Sequence, residues 1–150
     1  MERTLVLLKP DCVQRRLVGT ILQRFEQKGL RLVGLKLVQT SRALAEQHYA
    51  VHKGKPFYDS LLKFLESGPT VALVLEGREA VVVARNLIGA TDGTKAPPGT
   101  IRGDFALSVQ NNLVHGSDSP ENAAAEIALW FKPEELVQYQ PVDSPWIVGG

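Results

Sequence analysis

The segment NLVHGSDSP, residues 112–120, places a histidine between an apolar pair and a glycine, just before a predicted helix. Ser119 and Pro120 fit the N-cap and the first position of that helix. Free backbone amides at a helix N-terminus favour anionic groups, and a neutral imidazole is a competent nucleophile toward phosphorus. The residues alone leave two interpretations of His115 open: a hydrogen-bonded structural histidine on a strand, or a covalent catalyst.

Several other side chains at predicted element ends could donate hydrogen bonds to phosphate oxygens. Guanidinium groups suit this purpose because they bind two oxygens at once. For each donor taken singly, an ordinary solvated surface position is the favoured interpretation. The candidate phosphate donors are Lys9, His52, Arg85, Thr91 and Arg102.

The common phosphate-binding loops are absent from the sequence. The segment GLRLVGLK, residues 29–36, approaches the P-loop pattern, but Lys36 is followed by Leu37 instead of Ser or Thr. The segment also alternates like a strand, whereas a P-loop turns into a helix. No G-x-G-x-x-G motif and no metal-binding cluster of His and Cys is present in the sequence.

Composition indicates a water-soluble globular protein. Of its 150 residues, 44% are hydrophobic and 22% charged, and the formal net charge is +1. A duplex-binding domain would be more basic, and the Arg15–Arg16 pair is too short to change that expectation. A single cysteine, Cys12, excludes an internal disulfide. Neither a signal peptide nor a membrane-length apolar run is found, so we expect a cytoplasmic protein without a membrane partner.

Apolar runs and helical spacing predict alternating strands and helices around one small sheet. The predicted strands are residues 3–9, 30–39, 70–77 and 106–110. The helices predicted before the last strand are residues 17–28, 42–49, 56–67 and 78–88. A loop at 89–105, with four glycines and two prolines, is long enough to suggest a functional role. The pattern predicts an α/β sandwich and a single domain over residues 1–150.

The last predicted helix follows Ser119, and residues after about 139 are expected to be irregular. Helical spacing predicts that one face of this helix points into the core. The predicted inward residues are Ala123, Ala124, Ile127, Ala128 and Phe131.

Six segments together resemble the nucleoside diphosphate kinase family, in its order and spacing, from about residue 3 to Trp146. The most specific is NNLVHGSDSPENAAAEIALWF, which contains His115. The others are LLKPDCVQR, RFEQKGLRLVGLK, HYAVHKGKPFYDSL, SGPTVALVLEG and PGTIRGDF. The resemblance implies a ferredoxin-like α/β sandwich with a four-stranded antiparallel sheet covered by helices.

The resemblance also implies the activity. It is the transfer of the terminal phosphoryl group of a nucleoside triphosphate such as ATP to a nucleoside diphosphate such as GDP, with low base selectivity. The implied mechanism is ping-pong through a phosphohistidine. Mg²⁺ is implied as the cofactor, carried on the nucleotide phosphates and not held by protein side chains.

Residue roles follow from the same match. His115 matches the nucleophile, while Phe57 matches the residue that stacks on the base. The implied phosphate ligands are His52, Arg85, Thr91 and Arg102. The implied contacts to the sugar hydroxyls are Lys9 and Asn112. The implied supporting residues are Tyr49, Ser117 and Glu126.

Two of these roles conflict with spacing alone. Phe57 begins an apolar helical stripe and would otherwise be assigned to the core, and Glu126 lies one residue from the inward Ile127. Two further residues depart from the family pattern. Cys12 stands where many relatives have glycine, and Val51 stands where many have an acid near the arginines. The loss of that acid is expected to affect the orientation of Arg102.

Two alternative functions are compatible with parts of the pattern. One is a histidine phosphocarrier without nucleotide, against which the set of Lys9, Phe57 and Asn112 argues. The other is a nucleic-acid-binding or regulatory module, against which the near-neutral charge argues, so no nucleic-acid partner is required. Members of the family are commonly hexamers or tetramers, and we expect a homo-oligomer, with a hexamer favoured.

Overall fold

The computed structural model describes residues 1–149, so Gly150 of the predicted 1–150 domain lies outside the described residues. Four antiparallel strands form one sheet in the order β2-β3-β1-β4. The strands are β1 (Glu2–Leu8), β2 (Arg31–Gln39), β3 (Pro69–Gly77) and β4 (Val114–Gly116). The predicted four-stranded antiparallel α/β sandwich is confirmed, and the architecture is ferredoxin-like.

Helices cover both faces of this sheet. They are α1 (Pro10–Gln14), α2 (Val18–Lys28), α3 (Arg42–His48), α4 (Tyr58–Glu66), α5 (Ala80–Ile88), α6 (Ile101–Phe105), α7 (Pro120–Trp130) and α8 (Ser144–Val148). Two short 3₁₀ helices span Ala50–His52 and Pro133–Glu135. No helix within residues 1–149 combines the length and the apolar character needed to cross a membrane.

The sheet separates two apolar clusters, which explains the unbroken apolar runs of its central strands. Val6 and Leu8 of β1 face the first cluster, whereas Leu5 and Leu7 face the second. Side chains of α2 and α5 complete the first cluster, and those of α4 and α7 complete the second. Successive side chains of a strand point to opposite faces of the sheet. Because β1 is covered on both faces, apolar side chains are needed on each, and the strand has no polar face.

The helix ends that were predicted from capping residues are confirmed. The hydroxyl groups of Ser41 and Ser119 each accept a backbone N–H at the start of a helix. Gly29 ends α2 with a φ of +101°, the left-handed conformation that favours glycine. Each of these features depends only on neighbours within four residues along the chain, so it can be recognised from the sequence alone.

The predicted strand at 106–110 is wrong. Leu107 and Val109 are both exposed, and this segment is irregular. The free edge of β1 pairs instead with Val114–Gly116, so His115 lies opposite Leu7. A three-residue strand has too few residues to show an alternating pattern, whereas 106–110 shows one by chance.

Several other boundaries also differ from the prediction. Ala124 and Ala128 are exposed, because the buried Ala123 and Trp130 set the phase of α7. Alanine side chains contribute little apolar area, so the apolar pattern of the sequence could not show which alanines of α7 face the core. The helix predicted from Pro56 begins at Tyr58. The helices α1, α6 and α8 were not predicted, and each has only five residues.

Candidate active site

His115 occupies the middle of β4 and is half-buried beside α7. Its Nε2 lies 3.0 Å from Oε1 of Glu126, which also accepts the hydroxyl of Ser117 at 2.5 Å. A carboxylate can only accept, so Nε2 carries the proton and Nδ1 keeps a free lone pair. Burial alone would raise the pKa of Glu126, but hydrogen bonds from His115 and Ser117 hold it below its usual value. Glu126 therefore faces inward, as the resemblance implied.

His48, which the sequence analysis did not select, packs against the ring of His115. The two ring centroids are 4.7 Å apart with the planes at 83°. Trp130 Nε1 donates to Nδ1 of His48 at 3.2 Å, and burial lowers the pKa of His48 to about 3. His48 is therefore a neutral imidazole. All three histidines of the chain line one cavity, and this concentration is the signal that could have identified His48.

Tyr49 packs on the other side of His48, with 4.8 Å between ring centroids. Burial raises the pKa of Tyr49 to about 12, so its phenol is neutral. The ring of His52 lies between Tyr49 and Phe57, at centroid distances of 6.2 and 5.3 Å. Phe57 is 47% exposed and precedes α4, so the core interpretation suggested by its spacing is wrong.

Arg102 is buried and fixed by three backbone carbonyl groups. Its Nε donates to Asn112 at 3.2 Å, and its terminal nitrogens donate to Gly89 at 3.1 Å and Val114 at 2.5 Å. A guanidinium group has five N–H donors, so two remain for a ligand. Burial, followed by the charge of Arg85, lowers the pKa of Arg102 to about 10, and the group stays charged at neutral pH.

Arg85, in the last turn of α5, also reaches β4. It donates to the carbonyl of Gly116 at 3.0 Å and is exposed. The two guanidinium groups thus bind carbonyl groups on either side of His115. Both groups bring positive charge to the strand that carries His115.

Lys9, Asn112 and Thr91 form a hydrogen-bonded chain that adjoins Arg102. Lys9 Nζ donates to Asn112 Oδ1 at 2.5 Å, and Asn112 Nδ2 donates to the Thr91 carbonyl at 3.0 Å. Burial lowers the pKa of Lys9 to about 8, although the nearby charge of Asp11 opposes this change. Thr91 lies in the stretch 89–105 that was predicted to be a loop, whereas Arg102 lies on α6, so the last five residues of that predicted loop are helical instead.

A cavity of about 500 Å³ lies beside His115 and is lined by residues of α3 and α7. Among its lining residues are His48, Tyr49, His52, Arg85 and Glu126. The cavity combines a histidine whose Nδ1 makes no hydrogen bond within residues 1–149 with the guanidinium group of Arg85, which can bind oxyanions. This arrangement suits phosphoryl transfer, which requires mainly positioning and charge stabilisation.

The two departures from the family pattern have different surroundings. Val51 is 81% exposed at the cavity rim, and Arg102 is oriented by carbonyl groups without any acid at that position. Cys12 is fully buried in the first apolar cluster, where burial raises the pKa of its thiol to about 12. The thiol is therefore neutral and outside the cleft.

The potential metal ligands His48, His115 and Glu126 lie close together, with their ligand atoms within 4.8 Å of one another. Nδ1 of His48 already accepts the Trp130 N–H, so its other nitrogen carries the proton. If that nitrogen bound a metal ion, the proton would have to move to Nδ1, and the buried hydrogen bond from Trp130 would be lost. These three residues are therefore poorly suited to a metal ion.

Comparisons with known proteins identify the family. The family model described as nucleoside diphosphate kinase matches residues 2–136. Nucleoside diphosphate kinases of Thermosynechococcus vestitus and Carboxydothermus hydrogenoformans are 60% and 58% identical over 147 residues, covering 98% of this chain and 98% and 99% of theirs. The Halobacterium salinarum enzyme, solved in complex with CDP, has a TM-score of 0.95 at 48% identity and 97% coverage of both chains. A Babesia bovis family protein has a TM-score of 0.95 at 47% identity, covering 98% of this chain and 99% of that one.

The fold is a ferredoxin-like sandwich, and its cleft is suited to phosphoryl transfer through a histidine. The chain belongs to the nucleoside diphosphate kinase family. It transfers the terminal phosphoryl group of a nucleoside triphosphate to a nucleoside diphosphate, and a ping-pong mechanism is characteristic of its family. The family uses a divalent metal ion in catalysis. Phosphocarrier activity and nucleic-acid binding are therefore rejected as the main activity of this chain.

Proposed function

We propose that Nδ1 of His115 is the nucleophile of the reaction. It attacks the terminal phosphorus of the donor, an N–P bond forms, and the bond to the bridging oxygen breaks to release the nucleoside diphosphate. The observation that supports this most strongly is the 3.0 Å contact between Nε2 and Glu126, which directs the Nδ1 lone pair outward. The carboxylate also compensates the positive charge that develops on the ring. The second half-reaction reverses these steps with another diphosphate.

The remaining residues of the cleft would bind the nucleotide. The free N–H groups of Arg85 and Arg102 bind oxygens of the transferring group, where negative charge spreads in the transition state. Lys9, Asn112 and Thr91 hold the sugar hydroxyls and phosphates, while His52 adds a phosphate contact. Tyr49 and Ser117 support the two sides of the cleft through His48 and Glu126.

Labelling with γ-labelled ATP tests the nucleophile. The label should be lost in acid and retained in base, as a phosphoramidate requires, and His115→Gln should take up none while remaining folded. His48→Gln and His52→Gln are matched controls that should still be labelled, because each retains His115. Label on serine, or label that persists in His115→Gln, would contradict the proposal.

We propose Mg²⁺ as the divalent ion, carried on the nucleotide phosphates. Mg²⁺ requires oxygen ligands in octahedral geometry. The carboxylates lining the cavity, Asp118 and Glu126, both accept hydrogen bonds within the protein. Calorimetry should detect no Mg²⁺ binding without nucleotide, and EDTA should abolish labelling that added Mg²⁺ restores. Tight Mg²⁺ binding to the protein alone would contradict this assignment.

Low base selectivity follows from the exposed ring of Phe57. A base can stack on this π-face irrespective of its hydrogen-bonding edge. The CDP complex of the Halobacterium salinarum relative is consistent with pyrimidine binding. The kcat/KM values for ADP, GDP, CDP and UDP should lie within about two decades, and strict rejection of pyrimidines would argue against stacking as the main contact.

We also propose a single-domain cytoplasmic homo-oligomer, a hexamer rather than a tetramer, without a required nucleic-acid or membrane partner. Leu35 and Leu37 are exposed on the edge strand β2, and Trp146 is 89% exposed. Exposed apolar edge strands are typical of surfaces that pair with another chain. Light scattering after size-exclusion chromatography should give a mass of about six times 16.4 kDa; a tetramer or monomer mass would reject the hexamer.

A further inference from the structure

Leu113 has a strained backbone two residues before His115. Its φ is +74°, although the residue is a fully buried leucine. The N–H of Val114 donates to the carbonyl of Asn112 at 2.8 Å, so the three residues form a γ-turn. The form with a positive central φ is rare and strained, and a bulky residue adopts it only when its surroundings impose it.

The surroundings impose it through both polar groups of the Leu113 backbone. Its N–H donates to Oδ2 of Asp11 at 3.0 Å, and its carbonyl accepts the backbone N–H of Lys9 at 2.8 Å. The second contact is between backbones and is independent of side-chain identity. The Asp11 carboxylate is therefore the side chain that directly holds the strained residue.

The turn is joined to the groups proposed to bind the nucleotide. Asn112, at its first position, holds the ammonium group of Lys9. The carbonyls of Asn112 and Val114, on either side of Leu113, both accept hydrogen bonds from Arg102. If the turn at Leu113 relaxed, the carbonyl groups that orient Arg102 would move, and so would Asn112, the partner of Lys9.

We infer that Asp11 is a positioning residue for phosphoryl transfer: its carboxylate holds the strained turn at Leu113 and thereby aligns Asn112 and Arg102 with His115. The inference rests on the proposed function of that site. Asp11 touches no reacting atom, so its effect is exerted through the backbone. A displacement of about 1 Å in a positioned group is enough to cost on the order of 10²-fold in rate.

The charge of Asp11 provides a second, separable effect. Its Oδ1 is buried and has no hydrogen-bond partner within residues 1–149, and its charge supports the protonated forms of Lys9 and Arg102. The charged and titratable groups that face Lys9 are Asp11, Arg102 and the neutral His48. Removal of the Asp11 charge should lower the pKa of Lys9 further, because burial and Arg102 then act unopposed.

Two variants of Asp11 separate these effects. Asp11→Asn retains an oxygen acceptor for the Leu113 N–H but removes the charge, whereas Asp11→Ala removes both. At pH 6.5 and saturating ATP, Asp11→Ala should be phosphorylated about 10- to 100-fold more slowly than wild type. Asp11→Asn should stay within about threefold, and the alkaline fall of its kcat/KM should begin at lower pH.

Glu2→Ala is the matched control for loss of a carboxylate that accepts a backbone N–H. Glu2 accepts the Val81 N–H at 2.9 Å at the start of α5, away from the turn. This variant should lose thermal stability without slowing phosphorylation. Equal losses of rate in Asp11→Ala and Asp11→Asn, or a wild-type rate in folded Asp11→Ala, would overturn the inference.

Failure of the inference is distinguishable from failure of the proposed function. If His115→Gln remains unlabelled while Asp11→Ala reacts normally, the nucleophile stands and only the positioning role is wrong. If His115→Gln is labelled, the proposed function fails whatever the Asp11 variants do.

Discussion

In the proposed reaction, the guanidinium group of Arg102 has both a structural and a chemical role. Two of its donors hold the carbonyls of Asn112 and Val114, on either side of Leu113, a third holds the carbonyl of Gly89, and two remain for the substrate. It is therefore preorganised before a nucleotide arrives. Such a donor stabilises the transition state without reorganisation at the moment of reaction.

Replacement of this group should lower the rate more than the affinity. Arg102→Ala should decrease kcat by roughly two to three decades, the range for one preorganised donor. Nucleotide binding should weaken less, because Arg85, Thr91 and Lys9 remain. Arg102→Lys should recover only part of the rate, since a point charge cannot satisfy several carbonyl groups at once. Pre-steady-state labelling of His115 and equilibrium binding would be measured together; collapsed binding with a normal saturating rate would identify a simple ground-state anchor.

The buried ammonium group of Lys9 should limit activity at alkaline pH. Burial lowers its pKa from 10.5 to about 8, so its charge is present below pH 8 and is lost as the pH rises through that value. The kcat/KM for ATP should therefore decline above about pH 8, because this parameter reports groups of the free enzyme. Lys9→Arg retains its charge there, so its residual activity should not decline between pH 8 and 9.5. A flat wild-type profile over that range would contradict the assigned pKa.

At the scale of the element, α2 shows how local conformation decides the effect of a glycine. Gly19 lies inside the helix and a Cβ there would meet no atom within 4 Å. Gly29 ends the helix at a φ of +101°, and a Cβ there would lie 2.5 Å from Cγ2 of Ile147. The same substitution should therefore have opposite effects at the two ends of one helix.

Thermal or urea unfolding of the two alanine variants measures this difference. Gly19→Ala should stabilise the protein by about 0.5 kcal/mol, since alanine loses less backbone entropy in a helix. Gly29→Ala should destabilise it by about 1–2 kcal/mol through left-handed strain, with displacement of α8 as an additional cost. Equal effects of the two variants would show that the left-handed conformation of Gly29 is not a constraint.

At the scale of the whole molecule, Glu76 connects the sheet to the C-terminal segment. It is 5% exposed and pairs with Arg3 at 2.7 Å and Arg31 at 2.5 Å. Arg3 also binds the side chain of Gln138, and Arg31 binds the carbonyl of Tyr139. One buried carboxylate thus fixes two arginines that hold the chain after α7 against strands β1 and β2.

Removal of this carboxylate should be strongly destabilising. Glu76→Ala leaves two cations without their buried partner, and breaking such a pair costs roughly 3–5 kcal/mol of unfolding free energy. Asp59→Ala, which removes the exposed partner of Arg42, should have a much smaller effect. Urea unfolding of both variants would test this, and similar losses in the two would show that burial does not govern the strength of the Glu76 contacts.

The sequence by itself determined the features that depend on neighbours in the chain. The central strands were identified because burial on both faces requires unbroken apolar runs. The N-caps Ser41 and Ser119 and the left-handed Gly29 were identified because each acts within one turn of helix. The segment around His115 indicated a candidate catalytic histidine beside a structural alternative, and its resemblance to the family was recognisable because the histidine, the glycine and the helix start are contiguous.

Only the tertiary structure decided which distant groups meet. The pairing of Val114–Gly116 with β1 places His115 beside Glu126 and His48, and three residues of strand have no periodicity to reveal it. Asp11 holds Leu113 across 102 positions of the chain. Such contacts depend on how the helices pack on the sheet, and packing is a property of the whole chain that no local pattern encodes.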